Sequence, residues 1–285
     1  MKSTVAILLA TYNGEKYLNE QIESILSQSY PNWHLYIRDD GSIDKTISIV
    51  KKFQNEYENI TLLEDKKGCL GVRDQFLYML EVVDADYYMF CDQDDVWFPD
   101  KIEKSLQKMH EIESIHPNKA ILIGSDCTIC GPELEVVNMS CWDHLRINPR
   151  VFLSQNGIYV YPFVTGASMI LNKKVKDILP AIPEGLPKNR PMYDWWVLIN
   201  TFKYGVVDLI EEPTRYYRQH YSNVSGGVGI LNTSYYTKIR RIKKTWEKNI
   251  LRAKVLKRIG YSPMKYFYYK WFYLCKMLTY KHKLQ

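Results

Sequence analysis

The chain has 285 residues, 46% of them hydrophobic, which is enough to bury a substantial core and excludes intrinsic disorder. No apolar run approaches the ~18 residues a membrane span needs, and Met1-Lys2-Ser3-Thr4 leads into a strand-like run instead of a signal-peptide core, so a cytoplasmic protein is expected. The net charge of +6 is unevenly spread: 15 Lys and Arg stand against Glu247 alone between Lys238 and Lys283, leaving residues 1–237 at −8.

Val5-Ala6-Ile7-Leu8-Leu9-Ala10 is a continuous apolar run, the pattern of a strand covered on both faces, and Thr11-Tyr12-Asn13-Gly14 follows it with turn chemistry. Tyr17, Leu18, Gln21, Ile22, Ile25 and Leu26 then recur at helical spacing until Tyr30-Pro31. A second strand, Trp33 to Ile37, runs into Asp39-Asp40-Gly41-Ser42, and its helix carries Ile43, Ile47, Ile49, Val50 and Phe53. A third, Ile60 to Leu63, leads through Gly68-Cys69-Leu70-Gly71 to a helix bearing Phe76, Met79, Leu80 and Val83. Strand and helix thus alternate three times, which predicts βαβ units on a parallel sheet with the polar turns gathered at one edge.

Tyr87-Tyr88-Met89-Phe90 reads as the next buried strand and ends in Cys91-Asp92-Gln93-Asp94-Asp95-Val96-Trp97, before a helix that starts near Pro99-Asp100-Lys101. Three carboxylates at a strand's carboxyl end repel one another unless a cation or solvent offsets them, and their hard oxygens suit Mg²⁺ or Mn²⁺. One Asp would suffice to cap the helix. Further on, Ala120 to Ile123 is expected to be a strand, Pro132 to Pro149 a mobile or acceptor-shaping loop, and Phe163 to Leu171 a strand interrupted by small residues. Pro180, Pro183, Pro187 and Pro191 punctuate a loop before Tyr193-Asp194-Trp195-Trp196, which opens an apolar helix.

Six cysteines are too few and scattered for a disulfide framework, and Cys127-Thr128-Ile129-Cys130 lacks a partner pair for zinc, so it reads as two packed thiols. In the tail, Ile239, Ile242, Trp246, Ile250, Ala253 and Leu256 share one helical face, and Tyr266 to Tyr280 interleaves aromatics with Lys270 and Lys276. Such a surface suits an anionic membrane, packing on its own domain or a second copy, or single-stranded nucleic acid. Membrane-surface contact through 238–283 is expected ahead of self-packing or a homo-oligomer, and no nucleic acid is expected as a partner.

Together, Thr11-Tyr12-Asn13-Gly14, Asp39-Asp40-Gly41-Ser42, Asp92-Gln93-Asp94-Asp95 and Tyr193-Asp194-Trp195-Trp196 resemble the family-2 glycosyltransferases over about residues 4–225. The Asp-Gln-Asp-Asp-Val-Trp wording, with Tyr217-Arg218-Gln219-His220 and Asn223-Val224-Ser225-Gly226, is most similar to the rhamnosyltransferase branch. The resemblance implies an α/β fold of the GT-A type in residues 1–230, followed by a basic helical tail over 231–285. It further implies an inverting transferase that moves a sugar from a nucleotide diphosphate donor, such as thymidine diphosphate-rhamnose, to a lipid-linked oligosaccharide at the inner membrane face. On these positions Thr11 and Tyr12 would lie against the base, with Asp40, or Asp39 beside it, accepting the base's ring N–H. Asp92 and Asp94 match the metal carboxylates, with Asp92 and Asp95 also near the donor. Arg218 and His220 match positions near the diphosphate, and His220 is a candidate metal ligand. Asp194 matches the general base, and Trp195 and Trp196 are candidate acceptor contacts, although aromatics at a helix start are more often core. Cys69 and Gln75 stand where family members commonly carry Asn. A binding module that kept the fold without turnover would share these residues, whereas a nucleotidyltransferase would need a basic, glycine-rich triphosphate loop near the amino terminus.

Overall fold

The computed structural model describes residues 3–154, 156–184, 186, 191–220 and 235–279, with side chains from 245 to 277 in the last span. Pro187, the Asn223–Gly226 motif, Lys281 and Lys283 lie outside the described residues, as do the side chains of 235–244.

The first half follows its apolar pattern. Strands β1 (Val5–Thr11), β2 (Trp33–Asp39), β3 (Ile60–Leu62) and β4 (Tyr87–Cys91) alternate with helices α1 (Leu18–Leu26), α2 (Thr46–Glu56) and α3 (Val72–Val82). They pair in parallel in the order β3-β2-β1-β4, with Thr11 opposite Asp39, so the turns after β1, β2 and β4 meet at one edge. Alternate residues enter opposite layers: Val5, Ile7 and Leu9 join one buried cluster, Ala6 and Leu8 the other. Helices on both faces explain why Val5–Leu9 of β1 and Tyr87–Cys91 of β4 are buried without a charged residue.

The second half departs from the expected order. It contains β5 (Val96–Trp97), α4 (Lys101–Ile115), β6 (Ile121–Cys130), β7 (Val136–Asn138), α5 (Cys141–His144), α6 (Pro149–Ser154) and α7 (Gly157–Val160). After a single 3-10 turn at Gly166–Ser168 come β8 (Met169–Asn172), α8 (Lys174–Ile178), α9 (Tyr193–Tyr204) and β9 (Val206–Arg218). The sheet continues β4-β8-β6-β9-β5, with β8 antiparallel to both neighbours, β9 parallel to β6, and β7 hanging on β6.

Four expectations are corrected. Ile43 is 93% exposed in the loop before α2 and does not belong to its buried face. The strand expected at 120–123 runs ten residues, because Ser125, Asp126 and Thr128 are buried with internal partners. The stretch 132–149 holds β7 and α5 instead of an unstructured loop. Only the end of 163–171 is strand. Cys127 and Cys130 are buried free thiols.

The tail forms α10 (Tyr235–Arg258) and α11 (Pro263–Thr279). Ala253, Val255, Leu256, Tyr266 and Tyr273 are buried in the same cluster as α3 and α9. Cations seal that seam, with Lys270 Nζ 3.4 Å from the Tyr161 ring centroid and the Arg252 guanidinium 5.5 Å from that of Trp195. No helix among the described residues is long and apolar enough to cross a membrane.

Candidate active site

The parallel strands deliver three turns to one place, and polar side chains lock these turns together. Thr11 donates its hydroxyl to Asp39 Oδ1 (2.8 Å), Asn13 donates its N–H to Ser42 Oγ (2.8 Å), and Gly14 donates its N–H to Thr46 Oγ1 (2.8 Å). Asn13 takes a positive φ of 47°, which Asn tolerates better than most residues. From the third turn, Gln93 clasps the Tyr12 backbone at both ends, accepting its N–H at 2.9 Å and donating to its carbonyl at 3.0 Å. A Cβ on Gly14 would fall 2.3 Å from Gln93 Oε1, so the clasp also requires glycine there.

A cavity of about 720 Å³ opens above these turns, a size suited to a small-molecule ligand. Thr11, Tyr12, Asp92, Asp94, Asp194 and His220 all line it. Tyr12 is 57% exposed there. The acids of the β4 turn point different ways. Asp92 and Asp94 face the cavity, whereas Asp95 is fully buried behind it in an ion pair with Arg215, itself fully buried. Burial and the neighbouring Asp95 and Asp94 push the Asp92 carboxyl up to about 8, and burial, opposed by Arg215, brings Asp95 to about 6. Asp94 Oδ2 lies 2.8 Å from His220 Nε2, and the His220 ring leans on Tyr17 with centroids 4.9 Å apart.

Asp194 sits in the first turn of α9, across the cavity. Its Oδ1 accepts the Trp195 N–H at 2.6 Å. Burial raises its pKa, partly countered by the Trp195 and Gly166 amides. The neighbouring Tyr193 is wedged between Phe76 (4.1 Å) and Phe90 (4.9 Å), which fixes the start of α9.

Several expected contacts are absent from the cavity wall. Asp39 spends its oxygens on Thr11, Gly41 N–H and Ser42 N–H, and Asp40 on Arg38, Leu70 N–H and Gly71 N–H. Both acids brace loops, and neither lines the cavity. Asp95 is likewise sealed away by Arg215. Arg218 is a bolt and not a cavity cation: it donates to the Asp94 carbonyl (2.8 Å) and the Pro132 carbonyl (2.5 Å), pairs with Glu20, and lies over the Tyr17 ring. Trp195 and Trp196 are 3% and 1% exposed and donate to the Ile158 and Pro180 carbonyls. They are core residues because α9 is packed on nearly every side, so they offer no face to an acceptor.

Among the described residues no group of three His, Cys, Asp or Glu is placed to hold an ion, so Asp92 does not complete a set with Asp94 and His220. Asp94 and His220 do fit as two ligands. Their 2.8 Å separation is close to the ~3 Å expected between adjacent ligands of an octahedral ion at 2.0–2.1 Å, and Mg²⁺ commonly takes its remaining ligands from phosphates and water.

Other residues of the site carried no signal in the sequence. Arg215 lines the cavity and is held by Asp95 and by Thr165 Oγ1 (2.8 Å), yet it lies in a strand whose mixed composition hid it. Lys101, buried and pushed down to about 7 by burial, donates to the Ala167 carbonyl at 2.6 Å and so steadies the Gly166 turn.

The fold is of the GT-A type. The family model described as glycosyl transferase family 2 matches residues 6–119 of this chain. It is 34% identical over 112 residues to the putative teichuronic acid biosynthesis glycosyltransferase TuaG of Bacillus subtilis (39% of this chain, 43% of that one). It is 37% identical over 102 residues to the dTDP-rhamnosyl transferase RfbG of Shigella flexneri (34% and 35%). It is 32% identical over 105 residues to an Escherichia coli UDP-Glc:alpha-D-GlcNAc-diphosphoundecaprenol beta-1,3-glucosyltransferase, WfgD (37% and 40%). The chain thus spans less than half the length of these relatives. Among solved structures, the mannosyltransferase PcManGT of Pyrobaculum calidifontis, in complex with GDP-Man and Mn²⁺, shares the fold with a TM-score of 0.55 at 15% identity, covering 90% of this chain and 62% of that one.

Proposed function

We propose that the protein is an inverting, divalent-cation-dependent transferase that moves L-rhamnose from thymidine diphosphate-rhamnose onto a lipid-linked oligosaccharide at the inner membrane face, during surface polysaccharide synthesis. One observation carries the reading: the Asp94–His220 pair and Asp194 line the same cavity. The rhamnose donor draws support from the motif wording and from the likeness to RfbG, and the lipid-linked acceptor from the likeness to WfgD.

Tyr12 offers its exposed ring to the nucleotide base, on a backbone that Gln93 holds still. Asp94 and His220 would hold Mg²⁺ or Mn²⁺, which supplies charge stabilisation to the departing diphosphate when bound. Asp194 takes the proton of the acceptor hydroxyl as the new C–O bond forms and the sugar–phosphate bond breaks. Its raised pKa makes it a stronger base than an ordinary Asp. Attack from the side opposite the diphosphate inverts the anomeric carbon.

The test is transfer from a panel of nucleotide sugars to a lipid-diphosphate-linked oligosaccharide, in Mn²⁺, with the anomeric configuration read by NMR. One donor should be used with inversion, and Asp194→Asn should lower kcat roughly 10²–10⁴-fold. Absence of transfer from every donor, or an unchanged kcat in Asp194→Asn, refutes the proposal.

A further inference from the structure

Helix α11 is apolar on two opposite sides, and the core needs only one of them. Inward, Tyr273 packs 4.2 Å from the Phe152 ring and donates to the Val151 carbonyl, while Tyr266 donates to Asn249 Oδ1 at 2.9 Å. Outward, Met264, Phe267, Tyr268, Trp271 and Leu274 fall in one stripe at three-and-four spacing and are 36–83% exposed. Trp246 of α10, 58% exposed, extends the stripe, its ring 5.8 Å from Phe267. An unbroken run of large apolar side chains on this scale marks an interaction surface.

Charge selects the partner. From 245 to 277 the chain carries eight Lys and Arg and one acid, Glu247. Lys265 and Lys276, both exposed, border the stripe along one side. A second copy brought face to face would set like charges against each other, whereas an anionic bilayer attracts the lysines and admits the aromatic rings at headgroup level. Location agrees with this. Arg252, on the helix that carries Trp246, lies over Trp195, and the Arg252 and Lys248 charges act on the Asp194 carboxylate, so the tail adjoins the acceptor side of the cavity.

We propose that the outer face of α11, with Trp246, lies in the headgroup layer of an anionic bilayer, its rim lysines at the lipid phosphates. This deepens the proposed function and rests on it for the acceptor, though the contact itself is independent of turnover. The test is sedimentation of the full chain with phosphatidylcholine vesicles and with vesicles about one-third phosphatidylglycerol. The protein should bind the anionic vesicles, less as salt rises. Trp271→Ser should weaken partitioning about tenfold or more with the melting temperature unchanged, and the double variant Lys265→Glu/Lys276→Glu should abolish the preference for anionic lipid. Failure to bind either vesicle, equal partitioning of Trp271→Ser and wild type, or a dimer in ultracentrifugation that Trp271→Ser dissolves would overturn the proposal. Mn²⁺-dependent nucleotide-sugar binding, followed in parallel by thermal shift, separates the two readings. Vesicle binding without nucleotide binding supports this surface and counts against the transferase, and the converse result overturns this surface alone.

Discussion

Replacing Asp95 by Asn removes one half of an ion pair in which both side chains are fully buried. The guanidinium of Arg215 would keep Thr165 Oγ1 at 2.8 Å, Ser168 Oγ at 3.3 Å and the Tyr217 ring 5.0 Å away, but no neutralising partner in contact among the described residues. Breaking a buried pair in this way costs about 3–5 kcal/mol, and the remaining contacts argue for the lower end. At roughly 2 °C per kcal/mol for a chain of this size, the melting temperature should fall by about 6–10 °C. Replacing both partners, Asp95→Leu with Arg215→Met, removes the stranded charge as well, so the double variant should lose clearly less than the two single variants summed. Differential scanning calorimetry on wild type, Asp95→Asn, the two single variants of the cycle and the double variant measures this directly. A melting temperature for Asp95→Asn within about 2 °C of wild type, or strict additivity in the cycle, would refute the view that the pair is a structural brace behind the cavity.

Because burial raises the Asp194 carboxyl above the ordinary range, its basic form is lost at a higher pH than for an exposed Asp. The value of kcat/KM should therefore climb with pH through that raised pKa and fall as pH drops below it, and a profile flat down to about pH 4 would contradict the assignment. His220→Ala leaves Asp94 as the single ligand of the pair, so half-saturation by Mn²⁺ should rise roughly 10–100-fold, read by calorimetric titration in the presence of nucleotide; an unchanged titration would remove His220 from the cation site. A Cβ at Gly166 would meet the Tyr193 hydroxyl oxygen at 2.1 Å while Tyr193 is held by Phe76 and Phe90. Gly166→Ala should therefore cost about 1–3 kcal/mol and lower kcat by displacing α9, and a variant with unaltered melting and turnover would show that the wedge yields.

The parallel half of the sheet was legible because its central strands β1 and β4 are buried on both faces and carry no charged residue. Strand β6 was read as four residues because Ser125, Asp126 and Thr128 look like a loop until their buried partners are known. The acid cluster announced its chemistry but not its geometry. Asp92, Asp94 and Asp95 are equivalent as letters, and only the turn after β4 decides that the first two face the cavity and the third faces Arg215. Arg218 and Asp40 show the same limit, since a charged residue in a functional motif serves equally well as a ligand contact or as the bolt behind one. The tail hid its inner face for another reason: α11 is aromatic all round, so periodicity could not say which side meets the protein.

Strand β9 runs beside β6 with slack in it. Ser125 stands opposite Ile210, but Asp126 stands opposite Pro213 and Thr128 opposite Tyr216, so β9 gathers extra residues across a short stretch of its neighbour. Such bulges re-aim every side chain downstream. Arg215, the Arg218 bolt and the route to His220 all lie beyond the first of them. Deleting one residue between 210 and 213 would leave the hydrophobic layers intact upstream, yet turn Arg215 outward and swing Tyr216 toward Asp95. The machinery at the far end of the strand is thus timed by a miscount near its middle.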